Sequence, residues 1–234
     1  MTVQKEYNAM KSALLDAFPR ADGKAMRQTA LMTFLLVLAA HAFCFLNLTF
    51  SGASVMFNAA KGADAQIASG VYLQPFYWRV RGAVSVPILV GLLSAAALSL
   101  TGALLSALLG IKRLPLCAML AGALALSPAV LVAFAGSVHT ADALFLAMLL
   151  AACAAALCLR IRVGFMPASL LLASGQALDP AAFAFFAGVV LIALIQALSD
   201  SEESDRLCAL RALGGLLCGL LGSAVYAGGY ILLT

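Results

Sequence analysis

Charged residues are scarce in this chain: they make up 10% of its 234 residues, whereas apolar residues make up 64% and the mean hydropathy is +1.06. Ordinary soluble domains are about 25% charged and about 45–50% apolar. A soluble fold of this size has nowhere to bury so much apolar surface, so the composition excludes a soluble enzyme, a disordered chain and a disulfide scaffold. The long apolar runs do not alternate with polar residues as barrel strands do, and they predict an all-α, polytopic transmembrane helical bundle.

Motifs for metals, cofactors and nucleic acids are also missing. With two histidines, the chain contains no HExxH, no paired CxxC, no glycine-rich phosphate loop and no nucleophile elbow, so we predict no metal and no cofactor. The net charge of +4 comes without a basic patch, which argues against a nucleic-acid partner. The six cysteines lie in or beside apolar runs and are expected to be free thiols that pack as small apolar residues.

Apolar runs define the expected membrane spans, since a bilayer core needs about 20 apolar residues per helix. We predict about seven, in a bundle over 29–234: 29–50, 84–111, 115–136, 140–159, 163–178, 181–199 and 207–233. The fifth is short and interrupted by Pro167, which suggests a tilted, half-inserted or kinked helix. The polar segment 1–28 is either a helix on the membrane surface or a frayed tail.

Lysine and arginine fix the expected orientation. With a cytoplasmic N-terminus, eleven of the fourteen basic residues face the cytoplasm, and only Lys61, Arg79 and Arg81 face outward. The positive-inside rule favours this arrangement. It makes 51–83 an outer loop. Membrane lipids are the first binding partners that we expect for such a bundle.

Small residues recur every four positions in two of the predicted spans. Such stripes let helix backbones approach closely in lipid. The partner helix belongs either to this chain or to another membrane protein. The stripes are Gly91, Ala95, Ser99, Ala103 and Ala107 in one span, and Gly215, Gly219, Ser223 and Ala227 in the other.

The outer loop ends in a cluster of aromatic and basic side chains over 71–82, which includes the single tryptophan, Trp78. One interpretation is an aromatic belt at the lipid interface, with Arg79 and Arg81 reaching the headgroups. The other is a substrate rim, where aromatic rings stack on a sugar and the arginines hold a lipid phosphate.

Three acids face outward in this topology: Asp64, Asp142 and Asp179. Asp64 is either a solvated side chain paired with Lys61 or a general base. Asp142 suits the N-cap or first turn of its helix, after a polar hinge over 136–142. His139, in that hinge, is a candidate proton carrier or an interface residue.

Several short segments resemble one known family. Ser69-Gly70-Val71-Tyr72-Leu73-Gln74-Pro75-Phe76-Tyr77, ending in Arg81-Gly82, is similar to the Gly-Arg-aromatic-Leu-Gln-Pro segment of the bacterial membrane glucosyl transferases of the serotype-converting Gtr type II. The stretch from Ser127-Pro128 to Leu144 resembles the later hinge of that family, and Gly214 to Tyr226 resembles a further helix. Members are expected to continue beyond Thr234 with another half.

The resemblance implies a transferase similar in plan to type-C glycosyltransferases, in the bacterial cytoplasmic membrane. It would move a hexose, which the family implies is glucose, from a polyprenyl-phosphate carrier to a surface glycan on the outer side. Asp64 would be the first-loop acid and Asp142 the hinge acid, both catalytic, with Arg79 or Arg81 stabilising the leaving phosphate. The expected substrate-binding residues are Gln74, Trp78, Arg79, Arg81 and His139. The alternative is a non-catalytic membrane subunit or a component that translocates lipid-linked sugars.

Overall fold

The computed structural model describes residues 22–46, 62–82, 86–136, 138–160, 164–199 and 205–234. Most of the predicted N-terminal segment 1–28, the first part of the outer loop and the acidic connector over 200–204 lie outside the described residues. The described parts of the chain form helices joined by short turns. The predicted all-α class is therefore confirmed for this part of the chain.

Ten helices are described: α1 (Gly23–Leu46), α2 (Gly62–Ala68), α3 (Gln74–Val80), α4 (Pro87–Leu108), α5 (Leu114–Ala125), α6 (Pro128–Gly136), α7 (Val138–Arg160), α8 (Phe165–Leu178), α9 (Ala181–Ser199) and α10 (Asp205–Leu233). Six candidate spans are long and apolar enough to cross a membrane, and they come from α1, α4, the α5–α6 pair, α7, α9 and α10. The polytopic bundle predicted from the composition is confirmed.

Helix α8 corresponds to the fifth predicted span, 163–178, and it is not among the six candidate spans. It has 14 residues, and at about 1.5 Å per residue it reaches about 21 Å, short of the roughly 30 Å of a hydrocarbon core. Pro167 does not interrupt it, because the proline lies in the first helical turn, where its missing N–H has no intrahelical partner to lose. Its buried residues pack between α7 and α10, whereas Met166 and Leu170, on its other face, are exposed.

The predicted span over 115–136 is divided at Ser127-Pro128. Pro128 has no N–H to continue α5, and its ring disfavours the helical conformation of the preceding residue. The chain starts a new helix, α6, at this proline, and the Ser127 hydroxyl accepts a hydrogen bond from the Val130 N–H at 3.3 Å.

The small-residue stripe of α4 packs against another helix of the same chain, α1. A methyl group placed on Gly91 would lie 2.5 Å from the Phe45 ring of α1, and Gly102 lies against Thr29 and Thr33 of the same helix. These contacts pair α1 and α4 in antiparallel fashion. The other stripe, on α10, lies along α9, where Gly215 contacts Val190.

The two ends of the bundle differ in charge. Arg160, at the end of α7, donates a hydrogen bond from Nη2 to the Leu108 carbonyl at the end of α4, 2.6 Å away. Since α1 runs antiparallel to α4, its first turns lie at this same end. We call it the basic end, because it carries Lys24, Arg27, Lys112, Arg113, Arg160 and Arg211. The opposite end carries α2, α3 and the start of α7.

Candidate functional site

A short helix, α3, lies between two turns at the end opposite the basic end. Both turns contain a glycine in the left-handed region, Gly70 with φ 89° and Gly82 with φ 98°, a conformation that other residues adopt at a cost. Pro75 occupies the first turn of α3, where its fixed φ suits a helix start. The Leu73 N–H donates to the Ala177 carbonyl at 3.0 Å, which ties α3 to the end of α8.

Helix α3 has one buried face and one exposed face. Gln74 and Trp78, four positions apart, are 5% and 4% exposed, whereas Phe76 and Val80 are 65% and 71% exposed. Arg79 is also exposed, in the last turn. Of the predicted substrate-binding residues, Gln74 and Trp78 are therefore buried and Arg79 is exposed.

A buried ion pair joins α3 to α7. The Nη1 atom of Arg81 lies 2.6 Å from both carboxylate oxygens of Asp142, and the two side chains are 3% and 0% exposed. The same Nη1 donates to the His139 carbonyl at 3.2 Å. The Tyr77 hydroxyl donates to Asp142 Oδ2 at 2.8 Å. Tyr77 of α3 and Arg81, the residue that directly follows this helix, thus satisfy one carboxylate of α7.

Tyr77 holds its proton firmly in this cluster. Burial raises the pKa of the Tyr77 hydroxyl well above its ordinary value, and the negative charge and hydrogen bond of Asp142 raise it further. The nearby Arg81 guanidinium opposes this shift. Tyr77 is therefore a hydrogen-bond donor to Asp142 at every physiological pH.

The expected hinge before α7 is shorter than predicted. Helix α7 begins at Val138, so His139 and Asp142 are helical residues. Asp142 lies beyond the first turn, where it cannot serve as the N-cap, and the expectation of a capping role was wrong. Its side chain points instead toward α3, which explains why a carboxylate is tolerated at 1% exposure.

Three tyrosines fasten the segment before α3 to the end of α10. The Tyr226 hydroxyl donates to the Gly70 carbonyl and the Tyr230 hydroxyl to the Ala68 carbonyl, both at 3.1 Å. In return, the Tyr72 hydroxyl donates to the Tyr226 carbonyl at 3.3 Å, and the two rings stack with centroids 5.8 Å apart. We call Tyr72, Tyr226 and Tyr230 the tyrosine clasp.

Asp64 lies on the helix that the clasp holds. It occupies the first turn of α2 and is exposed, whereas Asp142 is enclosed. Among the residues that the structure describes, no hydrogen bond or ion pair joins Asp64 to the Arg81–Asp142 pair. The structure therefore brings Asp142, Arg81 and His139 together and leaves Asp64 on a separate, exposed element of the same end.

Tyr77 and the clasp residues were not among the predicted site residues. The spacing of Tyr77 and Arg81, four positions apart, is a local signal that both lie on one face of a helix. No comparable signal links Tyr226 to Gly70, which are 156 positions apart. Asp179 was predicted only to face outward, and it caps α9 by accepting the Ala181 N–H at 2.9 Å.

The family comparison matches the part of the chain that carries this cluster. A model of the family described as Glucosyl transferase GtrII covers residues 69–234, from the turn before α3 to the end of the chain. The chain belongs to the glucosyl transferase GtrII family. The resemblance inferred from the short motifs is confirmed. Searches of curated proteins and of solved structures gave no significant match.

Membership of the GtrII family, together with six candidate spans, supports a multi-pass membrane protein with a glycosyltransferase-like role. The matched region includes Tyr77, Arg81 and Asp142, as well as Tyr226 and Tyr230 of the clasp. Asp64 and helix α1 precede it.

Proposed function

We propose that this GtrII member transfers a hexose, glucose by its family, from a polyprenyl-phosphate carrier to a surface glycan on the outer side of the bacterial cytoplasmic membrane. The observation that carries the proposal is the family match over 69–234 in a chain whose described part holds six candidate membrane spans. Most of the described basic residues, apart from Arg79 and Arg81, lie at the basic end, and by the positive-inside rule this supports an outward-facing α2–α3 end.

In the proposed reaction, Asp64 is the general base. It accepts the proton of an acceptor hydroxyl while that oxygen attacks C1 of the sugar. The bond between C1 and the phosphate oxygen breaks, and the polyprenyl phosphate leaves with the bonding electrons. The exposed guanidinium of Arg79 stabilises the charge on the leaving phosphate. The exposure of both side chains supports these roles, because a group must reach the reacting atoms to act on them.

We assign the Arg81–Asp142 pair a positioning role in this reaction. The side chains are 3% and 0% exposed and their charges compensate each other, so neither is offered to a substrate. By fixing α3 on α7, the pair holds Arg79 at the surface. Gln74 and Trp78, on the buried face of α3, serve the same purpose, and His139 remains a candidate contact for the substrate.

A transfer assay tests the proposal directly. The purified chain in proteoliposomes is supplied with polyprenyl-phosphate glucose and a glycan acceptor, and transferred glucose is measured. We expect transfer by the native chain and a loss of roughly 100- to 10,000-fold in kcat for Asp64→Asn, the usual contribution of a general base. The matched control is Asp22→Asn, the same isosteric change at an exposed helix cap of the basic end, where asparagine caps equally well.

The outcomes separate the alternatives. No transfer by the folded native chain would contradict the enzyme and favour a non-catalytic membrane subunit or a lipid-linked sugar translocation component. Transfer that is equally fast in the native chain and in Asp64→Asn would contradict the role of Asp64 and leave the transferase activity established.

A further inference from the structure

A groove runs between α9 and α10, two helices at the periphery of the described bundle. In the most apolar part of each span, 22% of the residues of α9 and 17% of those of α10 are buried, against 61% in α4 and in α7. Leu191, Leu216 and Leu220 line the groove and are 58%, 61% and 61% exposed. In a spanning bundle, the groove is therefore open toward the lipid.

The small residues of α10 create this groove. Gly215 contacts Val190 of α9, and Gly219 and Ser223 follow at intervals of four on the same face of α10. Because these residues have little or no side chain, a space of about 330 Å³ remains between the two helices. Ligand pockets have volumes of about 300–1,000 Å³. Among the described residues that line the space, only Ser223 is polar, so the walls suit an apolar occupant.

The groove extends from the outer end of α9 past the middle of the membrane. Helix α9 has 19 residues, and its length of about 28 Å is close to the roughly 30 Å of a hydrocarbon core. It begins just after α8, whose end is bonded to α3, so its first residues lie at the α2–α3 end. Two lining residues, Phe183 and Leu194, lie about 3 Å and about 20 Å along the axis from there. An occupant that enters from the α2–α3 end can follow the groove beyond the midplane.

The outer end of the groove adjoins the segments that carry the proposed transferase site. The Ser223 hydroxyl donates to Oε1 of Gln176 on α8 at 3.4 Å. The next residue of α8, Ala177, accepts the Leu73 N–H at the start of α3. Tyr226, three residues after Ser223, belongs to the clasp that holds α2. A lipid whose chain lies in the groove therefore has its headgroup close to α2 and α3.

We propose that this groove binds the polyprenyl chain of the lipid-linked sugar donor. The inference rests on the proposed function, which supplies a polyprenyl phosphate with its phosphate at the α2–α3 end. The chain carries no polar groups, and it packs against the walls through dispersion contacts. Phospholipid acyl chains end near the midplane, whereas a polyprenyl chain of many isoprene units is long enough to fill the whole groove. The competing occupants are a phospholipid acyl chain and a helix of another membrane protein.

Lipid-dependent thermal unfolding of the full chain in a neutral detergent tests this site. The probes are undecaprenyl phosphate, geranyl phosphate, which carries the same phosphate on a much shorter isoprenoid chain, and phosphatidic acid, which carries it on two acyl chains. We expect a saturable rise in Tm with undecaprenyl phosphate, at concentrations where the other two have little effect. No saturable rise with undecaprenyl phosphate would overturn the proposal, as would equal affinities for the long and the short isoprenoid chain. Equal stabilisation by phosphatidic acid would overturn the assignment to a polyprenyl chain.

A substitution that fills the groove locates the binding. Ala187 is an exposed residue of its wall, and Ala187→Phe places an aromatic ring in the space. The apparent affinity for undecaprenyl phosphate should fall about tenfold or more, the effect of losing the burial of roughly two methylene groups. The matched control is Ala224→Phe, the same change at an exposed residue of α10 that does not line the groove. It should bind as the native chain does, and the Tm of each variant without lipid shows that it folds.

The outcomes for the two variants are decisive. Equal affinities of Ala187→Phe and the native chain would overturn the proposal, as would an equal weakening in Ala224→Phe. The transfer assay separates this site from the proposed function. Binding that depends on chain length, in a protein that transfers no glucose, would contradict the enzyme and support the groove. Transfer by Ala187→Phe with the native kcat and the native KM for the donor would contradict the groove and leave the activity established.

Discussion

Arg81 and Asp142 lie 61 positions apart in the chain, yet the Nη1 atom of Arg81 is 2.6 Å from both carboxylate oxygens of Asp142. The pair joins the end of the short helix α3 to α7, one of the candidate spans. Both side chains are almost fully removed from solvent, so each charge depends on the other for its stabilisation. Tyr77 adds the second donor to the carboxylate.

Breaking this pair should be costly. We expect Asp142→Asn to lower the free energy of unfolding by about 3–5 kcal/mol, because it leaves the Arg81 charge buried without its counter-charge. Arg81→Met should cost a similar amount. The measurement is thermal or denaturant unfolding of the purified chain in detergent.

The double variant Arg81→Met/Asp142→Leu is the control, since it removes both charges together. It should recover most of the loss, as buried pairs replaced by apolar side chains often do. If the costs of the two single substitutions instead add up in the double variant, the two residues are not coupled.

The tyrosine clasp should hold α2 in place. Tyr230→Phe and Tyr226→Phe each remove one hydroxyl that donates to the backbone near Gly70, at an expected cost of about 0.5–1.5 kcal/mol each. The cost should appear locally, as faster hydrogen exchange of the backbone amides of 65–71. Ser174→Ala removes a bond within α8 and should leave that exchange unchanged. Protection of 65–71 that persists without both hydroxyls would show that other contacts hold the segment.

Close packing of α1 on α4 predicts opposite effects for two alanine substitutions. Gly91→Ala places a methyl group 2.5 Å from the Phe45 ring, and such overpacking costs about 1–3 kcal/mol. Gly122, inside α5, has open space around the same position, so Gly122→Ala should gain roughly 0.5–1 kcal/mol through helix propensity. Unfolding midpoints of the two variants check this. A stabilised Gly91→Ala would mean that Phe45 yields easily.

The environment of Asp179 predicts that the stability of the folded chain depends on pH. Burial raises the pKa of its carboxyl, and the Ala181 N–H bond opposes this in part. A carboxyl whose pKa is higher in the folded chain favours folding when it is protonated, and this contribution disappears as the pH rises through the folded pKa. Asp179→Asn keeps the acceptor for the Ala181 N–H and cannot ionise. Its Tm relative to the native chain should therefore be higher at pH 7 than at pH 4. The same Tm difference at both pH values would contradict the shift.

The bounds of the helices show how accurately local sequence patterns predict the membrane spans. The bounds of α9 agree with the predicted 181–199, and those of α4, α7 and α10 lie within a few residues of the prediction. The predicted start of the first span, residue 29, is six residues late, because α1 begins at Gly23 among polar residues that hydropathy alone excludes. The division at Ser127-Pro128 was also missed, although the proline is visible in the sequence. Spans are predicted from the hydropathy averaged over an apolar run. A single break in the backbone does not change that average.

The candidate site was harder to predict than the spans, because it is formed by contacts between residues that are far apart in the chain. The sequence indicated that Asp142, Arg79 and Arg81 lie at the same end of the bundle, because span counting assigns each loop to a side. It did not indicate that Arg81 would be buried with Asp142 while Arg79 stays exposed. That distinction depends on the rotation of α3 against α7, which follows from packing.

Composition and the distribution of charge along the chain were enough to determine a polytopic helical membrane protein with a basic end and an opposite end with few charges. Hydrophobicity and helical periodicity are local properties, so they can be read from the sequence directly. Only the tertiary structure decided which polar side chains meet their partners: Arg81 with Asp142, and the clasp tyrosines with the turn at Gly70. These pairings depend on how helices that are far apart in the chain are rotated and shifted along their axes relative to one another. Packing between distant segments determines both the rotation and the shift.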